Sequence, residues 1–425
     1  MKPNLIFKTG ETLRVSVIIP TYNRAEYLSQ ALKSVFDQSL SPFEVIVIDD
    51  GSTDNTPEVV RAFEPGIRYF RHDHNRGVSA ARNLGLEVAR GEVIAWLDAD
   101  DLWEPDFLGT IIPMLETVEG LDGVYTGLVR IDADGNLLPQ ASQTVVSPPD
   151  LYSVLIEDCF IQISTFVARK RCFERVGNFD TQFDICEDYD MFLRLATTFT
   201  IAGVPTPLVR YRVHEHNTVK DTAAFCQFRL ALAQKHFGKL EGDARTWSVE
   251  RRCAHAYAFR SVALKCIQDG QPDRGWRFLE KATLIWPDLL GRLDTFYELA
   301  CGDQPRGYRG HANLLDIEGN GTEMLNRLDN LFAKADPTLK PMRRRAYGNA
   351  HLALGLLSDL ASRPLVARRY LLRAAITHPN LLVTSQLPRK LIKTCLGARA
   401  IEAMSQLKDW WTDQIFGTSF RAFWF

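Results

Sequence analysis

The 425-residue chain has no run of about 18 apolar residues that could cross a bilayer. Its start, Met1-Lys2-Pro3-Asn4, does not lead into the long apolar stretch of a secretion signal. The expectation is a cytoplasmic chain, at most peripheral at the inner face of the membrane. A charge excess is missing too. The 50 Lys and Arg against 52 Asp and Glu leave a formal net charge of -2, whereas nucleic-acid binders usually carry a strong basic surplus. No nucleic-acid partner is expected. The eight cysteines contain no C-x-x-C pair and no metal-ligand spacing, so they read as reduced, mostly buried thiols. What remains, 46% hydrophobic and 24% charged residues, is the composition of a globular protein. A chain of this length exceeds one ordinary core and predicts two or three domains.

The first part alternates short apolar runs with amphipathic segments. Val15–Ile19, Phe43–Ile48, Ile67–Phe70 and Val93–Leu97 read as strands. Between them, Tyr27, Leu28, Ala31, Leu32, Val35 and Phe36 keep helical spacing, as do Val78, Ala81, Leu84 and Val88. This alternation predicts a parallel sheet of right-handed βαβ units, whose ligands bind beyond the carboxyl ends of the strands. From about residue 120 the pattern loosens. Asp132–Asn136 predicts a hairpin turn, a helix is predicted from near Glu187, and Leu208–Val213 is predicted to be extended.

From about residue 221 the chain reads as helical. Ala256-Tyr257 opens one helix, Gly270 and Pro272 mark a turn, and a second helix runs to Trp286–Leu290. About 90 residues later Ala346-Tyr347, Pro364 and His378–Leu382 repeat that plan, each copy resembling one tetratricopeptide-type hairpin. The expected division is therefore 1-220, a catalytic domain; 221-400, a helical domain; and 401-425, an aromatic-rich tail.

Four polar clusters stand out, three where strands end and one at a helix start. Pro20-Thr21-Tyr22-Asn23-Arg24 offers a backbone loop and a Tyr ring that can border a nucleobase; equally, Asn23 could cap a helix. In Asp49-Asp50-Gly51, Asp50 could accept the imino hydrogen of a uracil-type base, while Gly51 permits a tight turn. Leu97-Asp98-Ala99-Asp100-Asp101 delivers carboxylates to a strand end, Asp98 and Asp100 on one side of the extended chain. A hard divalent cation accepts one or two such carboxylates when phosphates supply its other oxygens. Without it, two unit charges about 4 Å apart repel by roughly 4 kcal/mol at an effective dielectric of 20. Helix capping accounts for one of the three carboxylates, and Asp101 is the one assigned to structure. In Glu187-Asp188-Tyr189-Asp190, a carboxylate at a helix start could take the proton of an attacking hydroxyl. Near an ordinary pKa of about 4 it is ionised at neutral pH; the competing role is again an N-cap. Cys186 reads as a small buried filler.

Together with Asn75-Arg76-Gly77-Val78-Ser79-Ala80-Ala81-Arg82-Asn83, these clusters resemble, in this order, family 2 of the inverting glycosyltransferases over about the first 220 residues. The resemblance implies an α/β fold of GT-A type, a nucleotide-diphospho-sugar transferase αβα sandwich with a mixed sheet, followed here by an all-α domain. It implies a divalent cation, Mg2+ or Mn2+. The reaction would be single-displacement transfer from a nucleotide-sugar donor, UDP-sugar favoured. The acceptor would be a glycan, glycolipid or protein hydroxyl in surface polysaccharide, glycolipid or glycoprotein synthesis. Carried over, Thr21, Tyr22 and Asn23 border the base, Asp50 binds it, and Arg82 reaches the nucleotide side. Asp98 sits near the ribose and metal-bound water, and Asp100 ligates the metal. Asp188 is the base with Glu187 beside it, and His214, in Tyr211-Arg212-Val213-His214, approaches the diphosphate or the metal.

Two other readings compete. A nucleotidyltransferase would need a Gly-rich phosphate loop after the first strand, which Pro20-Thr21-Tyr22-Asn23 is not. A non-catalytic nucleotide-binding scaffold, using its helices for partner contacts, would have lost acidic residues that stand here. In the tail, Trp410, Trp411, Phe416, Phe420, Phe423, Trp424 and Phe425 leave open a peripheral membrane or protein contact, against simple packing between domains.

Overall fold

A computed structural model describes residues 13–138, 151–214, 221–303, 312–334 and 336–396. The aromatic tail lies outside the described residues. Contacts divide the chain into two compact units, Met1–Lys265 and Cys266–Phe425.

In the first unit, β1 (Val15–Thr21), α1 (Ala25–Phe36), β2 (Glu44–Asp49), α2 (Thr56–Arg61), β3 (Ile67–Arg71), α3 (Val78–Val88) and β4 (Val93–Trp96) follow the expected alternation. The four strands are parallel, in the order β3-β2-β1-β4. Their side chains alternate between two cores. Val17, Ile19, Val47 and Ala95 pack with Leu28 and Leu32 of α1 and Val60 of α2. Ile18, Ile46, Ile94 and Trp96 pack on the other face with Ala81 and Leu86 of α3. Burial on both faces is why these strands read as continuous apolar runs. At Gly85 of α3 an added Cβ would stand 2.4 Å from Ile18 Cγ2, so only glycine lets helix and strand lie this close.

Because α1 and α2 cover one face and α3 the other, the chain reverses direction across the sheet between β1 and β4. That reversal opens a crevice beyond their carboxyl ends.

The second half of the unit completes the sheet with β5 (Leu102–Trp103), α4 (Phe107–Thr117), β6 (Gly123–Ile131), α5 (Leu151–Glu157), β7 (Phe166–Arg169), α6 (Lys170–Val176), α7 (Glu187–Ala196), β8 (Ile201–Arg212) and α8 (Thr222–Phe237). The eight strands run β3-β2-β1-β4-β7-β6-β8-β5, and β7 is antiparallel to both β4 and β6. The sheet is therefore mixed. The turn at Asp132–Asn136 forms as expected: Asp132 N donates to Asn136 O at 2.9 Å, and Gly135 takes φ 92°.

The helical region consists of α9 (Val249–Gln268), α10 (Pro272–Ile285), α11 (Leu293–Ala300), α12 (Ile317–Lys334), α13 (Arg343–Leu360), α14 (Pro364–Thr377), α15 (Leu381–Thr384) and α16 (Leu387–Leu396). The expected helix–turn–helix segments are present, but their first helices start earlier than read. The helix expected to open at Ala256 begins at Val249, where Ser248 Oγ accepts from Arg251 N at 3.1 Å. The one expected to open at Ala346 begins at Arg343. Both overlooked first turns are rich in charge, and the exposed Val249 starts no apolar period. Among the described residues no helix is long and apolar enough to cross a membrane.

Candidate active site

A cavity of about 660 Å3 lies at the crevice beyond β1 and β4. Of the residues singled out in the sequence, Thr21, Tyr22, Asp50, Arg82, Asp98, Asp100, Glu187 and Asp188 all line it. Asn23 and His214 do not line it but bond to residues at its edge.

On the β1–β2 side, the adjacent carboxylates Asp49 and Asp50 divide their work. Asp49 accepts from Ser52 N at 2.7 Å and from Tyr69 Oη at 2.5 Å, and so closes the strand end. Asp50 faces the cavity. Its Oδ1 accepts from Arg76 N at 3.0 Å and pairs with His72 Nδ1 at 2.6 Å, and its Oδ2 accepts from Gly77 N at 2.8 Å. A carboxylate offers about four lone-pair positions, so Oδ2 keeps one for a ligand. Gly51, at φ 79°, lets the chain turn where a Cβ would meet the His74 carbonyl carbon at 2.6 Å. Asn23, itself at φ 52°, accepts from Thr53 N at 2.7 Å and donates its own N–H to Ser52 Oγ. It ties the two loops together rather than capping α1. That helix start is served by Asp54, whose Oδ2 accepts from Ala25 N at 3.0 Å. Tyr22 is 40% exposed at the rim, and the buried Thr21 hydroxyl has no hydrogen-bond partner among the described residues.

On the β4 side, the three carboxylates separate cleanly. Asp101 is buried, accepts from Ser164 Oγ at 2.6 Å and Arg212 N at 3.0 Å, and is pushed well up in pKa by burial and by Asp100 and Asp98. It joins β4 to β8 and caps no helix. Asp100 Oδ2 lies 2.9 Å from His214 Nε2 and 3.6 Å from Arg24 Nε, while its carbonyl accepts from Arg212 Nε at 2.9 Å. Asp98 Oδ1 accepts from Arg82 Nη2 at 2.9 Å.

Arg82 spans the site. Its other terminal nitrogen donates to Glu187 Oε1 at 2.5 Å, its guanidinium carbon lies 5.5 Å from the centre of the Phe179 ring, and its Nε is buried without a partner. Burial of Arg82 would favour its neutral form. The Asp98, Glu187 and Asp188 carboxylates outweigh that and hold its proton more tightly than usual. Glu187 is raised by burial and pulled back by Arg82.

Asp188 differs from the expectation of an ordinary pKa. Burial, then the Glu187 charge, lift it from 3.8 to about 7, against the opposing pull of Arg82 and the Tyr189 N–H. Nor is it the helix cap, since α7 starts after Cys186, which takes that position at φ 70°. Burial raises the Cys186 thiol to about 12, so it stays protonated and is no nucleophile at neutral pH. Asp190, two residues on from Asp188 and therefore on the other side of α7, points elsewhere. Burial would raise it, but His236, Lys235 and Arg194 hold it well below the usual range, and the first two join α7 to α8.

Four contributors had no role in the sequence reading: His72 and Ser164, which it did not name, and Arg24 and Arg212, which stood inside clusters it did. His72 stands directly after β3, where the strand-end rule could have found it. Arg212 sits inside a segment that was noticed, yet its hold on Asp100 is not encoded in spacing. Nothing local signals Ser164.

The mixed sheet and this acid-lined crevice at its switch point are the arrangement expected of a glycosyltransferase of GT-A type. The glycosyl transferase family 2 profile matches residues 16–177, and the chain belongs to that family. It is 34% identical over 231 residues to an uncharacterized glycosyltransferase of Nostoc, covering 52% of this chain and 71% of that one. Against chondroitin synthase of Escherichia coli the identity is 31% over 208 residues, 48% of this chain and 29% of that protein. A solved mannosyltransferase of Pyrobaculum calidifontis, in complex with GDP-Man and Mn2+, is 19% identical with a TM-score of 0.47, covering 89% of this chain and 90% of that one.

Proposed function

We propose that the protein transfers a sugar with inversion from a nucleotide diphosphate, a uridine nucleotide favoured, to a hydroxyl of a surface polysaccharide, glycolipid or glycoprotein. The observation that carries this reading is the pair of carboxylate groups in one cavity. Asp98 and Asp100 stand at the end of β4, and Asp188 stands at the start of α7 with only its Oδ1 engaged, by Tyr189 N at 2.7 Å. The Thr21–Tyr22 loop and the open lone pair of Asp50 suit a base with an imino hydrogen. Asn23 supports that loop through Thr53. Arg82, bound to both Asp98 and Glu187, acts on the nucleotide side through Asp98. Asp188 then receives the proton of the acceptor hydroxyl as that oxygen attacks the anomeric carbon.

Among the described residues no group of three or more His, Cys, Asp or Glu is arranged to hold a metal ion. The donor set at β4 is Asp100 with His214 beside it, and Asp98 in support. That set suits Mg2+ or Mn2+ only where diphosphate oxygens complete the shell. A cation held there would neutralise charge on the departing nucleoside diphosphate.

The test is a binding and turnover comparison. Asp188→Asn should abolish transfer and retain nucleotide binding, while Asp100→Ala should remove the metal-dependent part of binding. Full turnover by Asp188→Asn would exclude it as the base. A thermal-shift screen of UDP-, GDP- and dTDP-sugars with Mn2+ identifies the donor.

A further inference from the structure

Helix α14 is apolar on two opposite faces. Ala367, Tyr370, Leu371 and Ala374 are buried, and Leu371 and Ala374 share a core with Leu352, Leu381 and Leu387. The opposite face carries Leu365, Leu372 and Ile376, which are 72%, 47% and 79% exposed. At 100° per residue these three fall within about 20° of a single line along the helix. Arg368 flanks that line on one side, Arg369 and Arg373 on the other, all exposed. Arg369 pairs with Glu318. Arg368 and Arg373 form no ion pair with a described residue. A helix that already has its core needs no second apolar stripe, and such a stripe marks a contact.

We propose that this face of α14 docks on an anionic lipid surface. Leu365, Leu372 and Ile376 enter the boundary between headgroups and acyl chains, and Arg368 and Arg373 meet anionic headgroups. The charge pattern selects this occupant. A helix lying in the bilayer interface presents an apolar line with basic side chains beside it, and the long arginine stems can follow the apolar surface while their heads stay at the headgroups. A second copy laid face to face would set arginine against arginine. An uncharged partner would bury two guanidinium groups without counter-charges. With a formal net charge of -2 for the chain, this basic flank is a local feature and not the trace of a basic protein. The inference stands independently of how the cavity in the first unit is read.

The experiment is co-sedimentation of the full chain with phosphatidylcholine vesicles, with and without phosphatidylglycerol. Binding is expected only where phosphatidylglycerol is present, and added salt should weaken it. Arg368→Glu with Arg373→Glu should lower partitioning by about tenfold or more. Leu372→Asp with Ile376→Asp should lower it comparably. Unchanged far-ultraviolet dichroism confirms that the variants fold. Should the aspartates unfold the helices, Ile376→Cys carrying an environment-sensitive dye replaces them, and a blue shift with anionic vesicles alone is the supporting result. The proposal is overturned by no binding to anionic vesicles, or by equal binding of wild type and both variants. It is also overturned by a concentration-dependent dimer that Ile376→Asp abolishes, which would assign the stripe to a second copy.

Discussion

Asp188 holds its proton to higher pH than a surface carboxyl because burial and the Glu187 charge both oppose its ionisation. As the proposed base it works only when deprotonated. Transfer should therefore climb by up to about tenfold per pH unit below about 7 and level off above it. Stability runs the other way. The folded carboxyl binds its proton more tightly than the unfolded one, so the cost of ionising it is absent below 3.8 and fully present above about 7. Asp188→Asn removes that cost and should raise the melting temperature at about pH 8 but not at about pH 4. Equal shifts at both would show that Asp188 ionises as freely folded as unfolded. Arg82 makes the opposite case. Arg82→Met leaves Glu187 and Asp98 facing one another without their shared cation, and should destabilise by about 3–5 kcal/mol in denaturant unfolding. Arg82→Lys keeps the charge but not the fork that spans two carboxylates, and should recover only part. The sequence shows which carboxylates stand at strand ends, because hydrophobic runs point at them. It does not show their protonation, since burial is a property of the packed neighbours.

At the scale of elements, β1 to β4 with α1 and α3 were legible, because two-sided burial leaves continuous apolar runs that turn residues punctuate, whereas the six-residue α2 was too short to show a period. β6 and β7 were not. They lie in the half where strand direction is mixed, and Gly123, Tyr125, Thr126 and Gly127 in β6 give no clean alternation. The closeness of α3 to β1 was also invisible, because a mid-helix glycine reads simply as a weak helix former. Gly85→Ala tests it. Its methyl would meet Ile18 Cγ2 at 2.4 Å, so the modest propensity gain should be outweighed, with a net loss of about 1–3 kcal/mol. A stabilised Gly85→Ala would mean that the helix can lift without consequence.

For the whole molecule, each unit has a core of its own, while the proposed nucleotide chemistry lies in the first. A nucleotide that binds the folded chain raises its stability by mass action, about 2.7 kcal/mol at a hundred times its dissociation constant. UDP with Mn2+ should therefore raise the melting temperature more than UDP alone. Asp100→Ala should abolish the difference between the two. An undiminished Mn2+ increment in that variant would move the cation away from β4.

Arg82 also bears on how such enzymes can be recombined. Because one guanidinium holds both Asp98 and Glu187, the segment that carries the proposed base is tied to the donor half at Arg82, as it is through Asn83 to Phe179 and through Asp101 to Arg212. A chimaera that takes Phe179 to Arg212 from a relative keeps this register only when an acid of glutamate length returns at position 187. Grafts that omit it would leave Arg82 with Asp98 as its remaining bonded carboxylate. Glu187 is thus the connector that has to travel with the α7 segment for the site to keep its geometry.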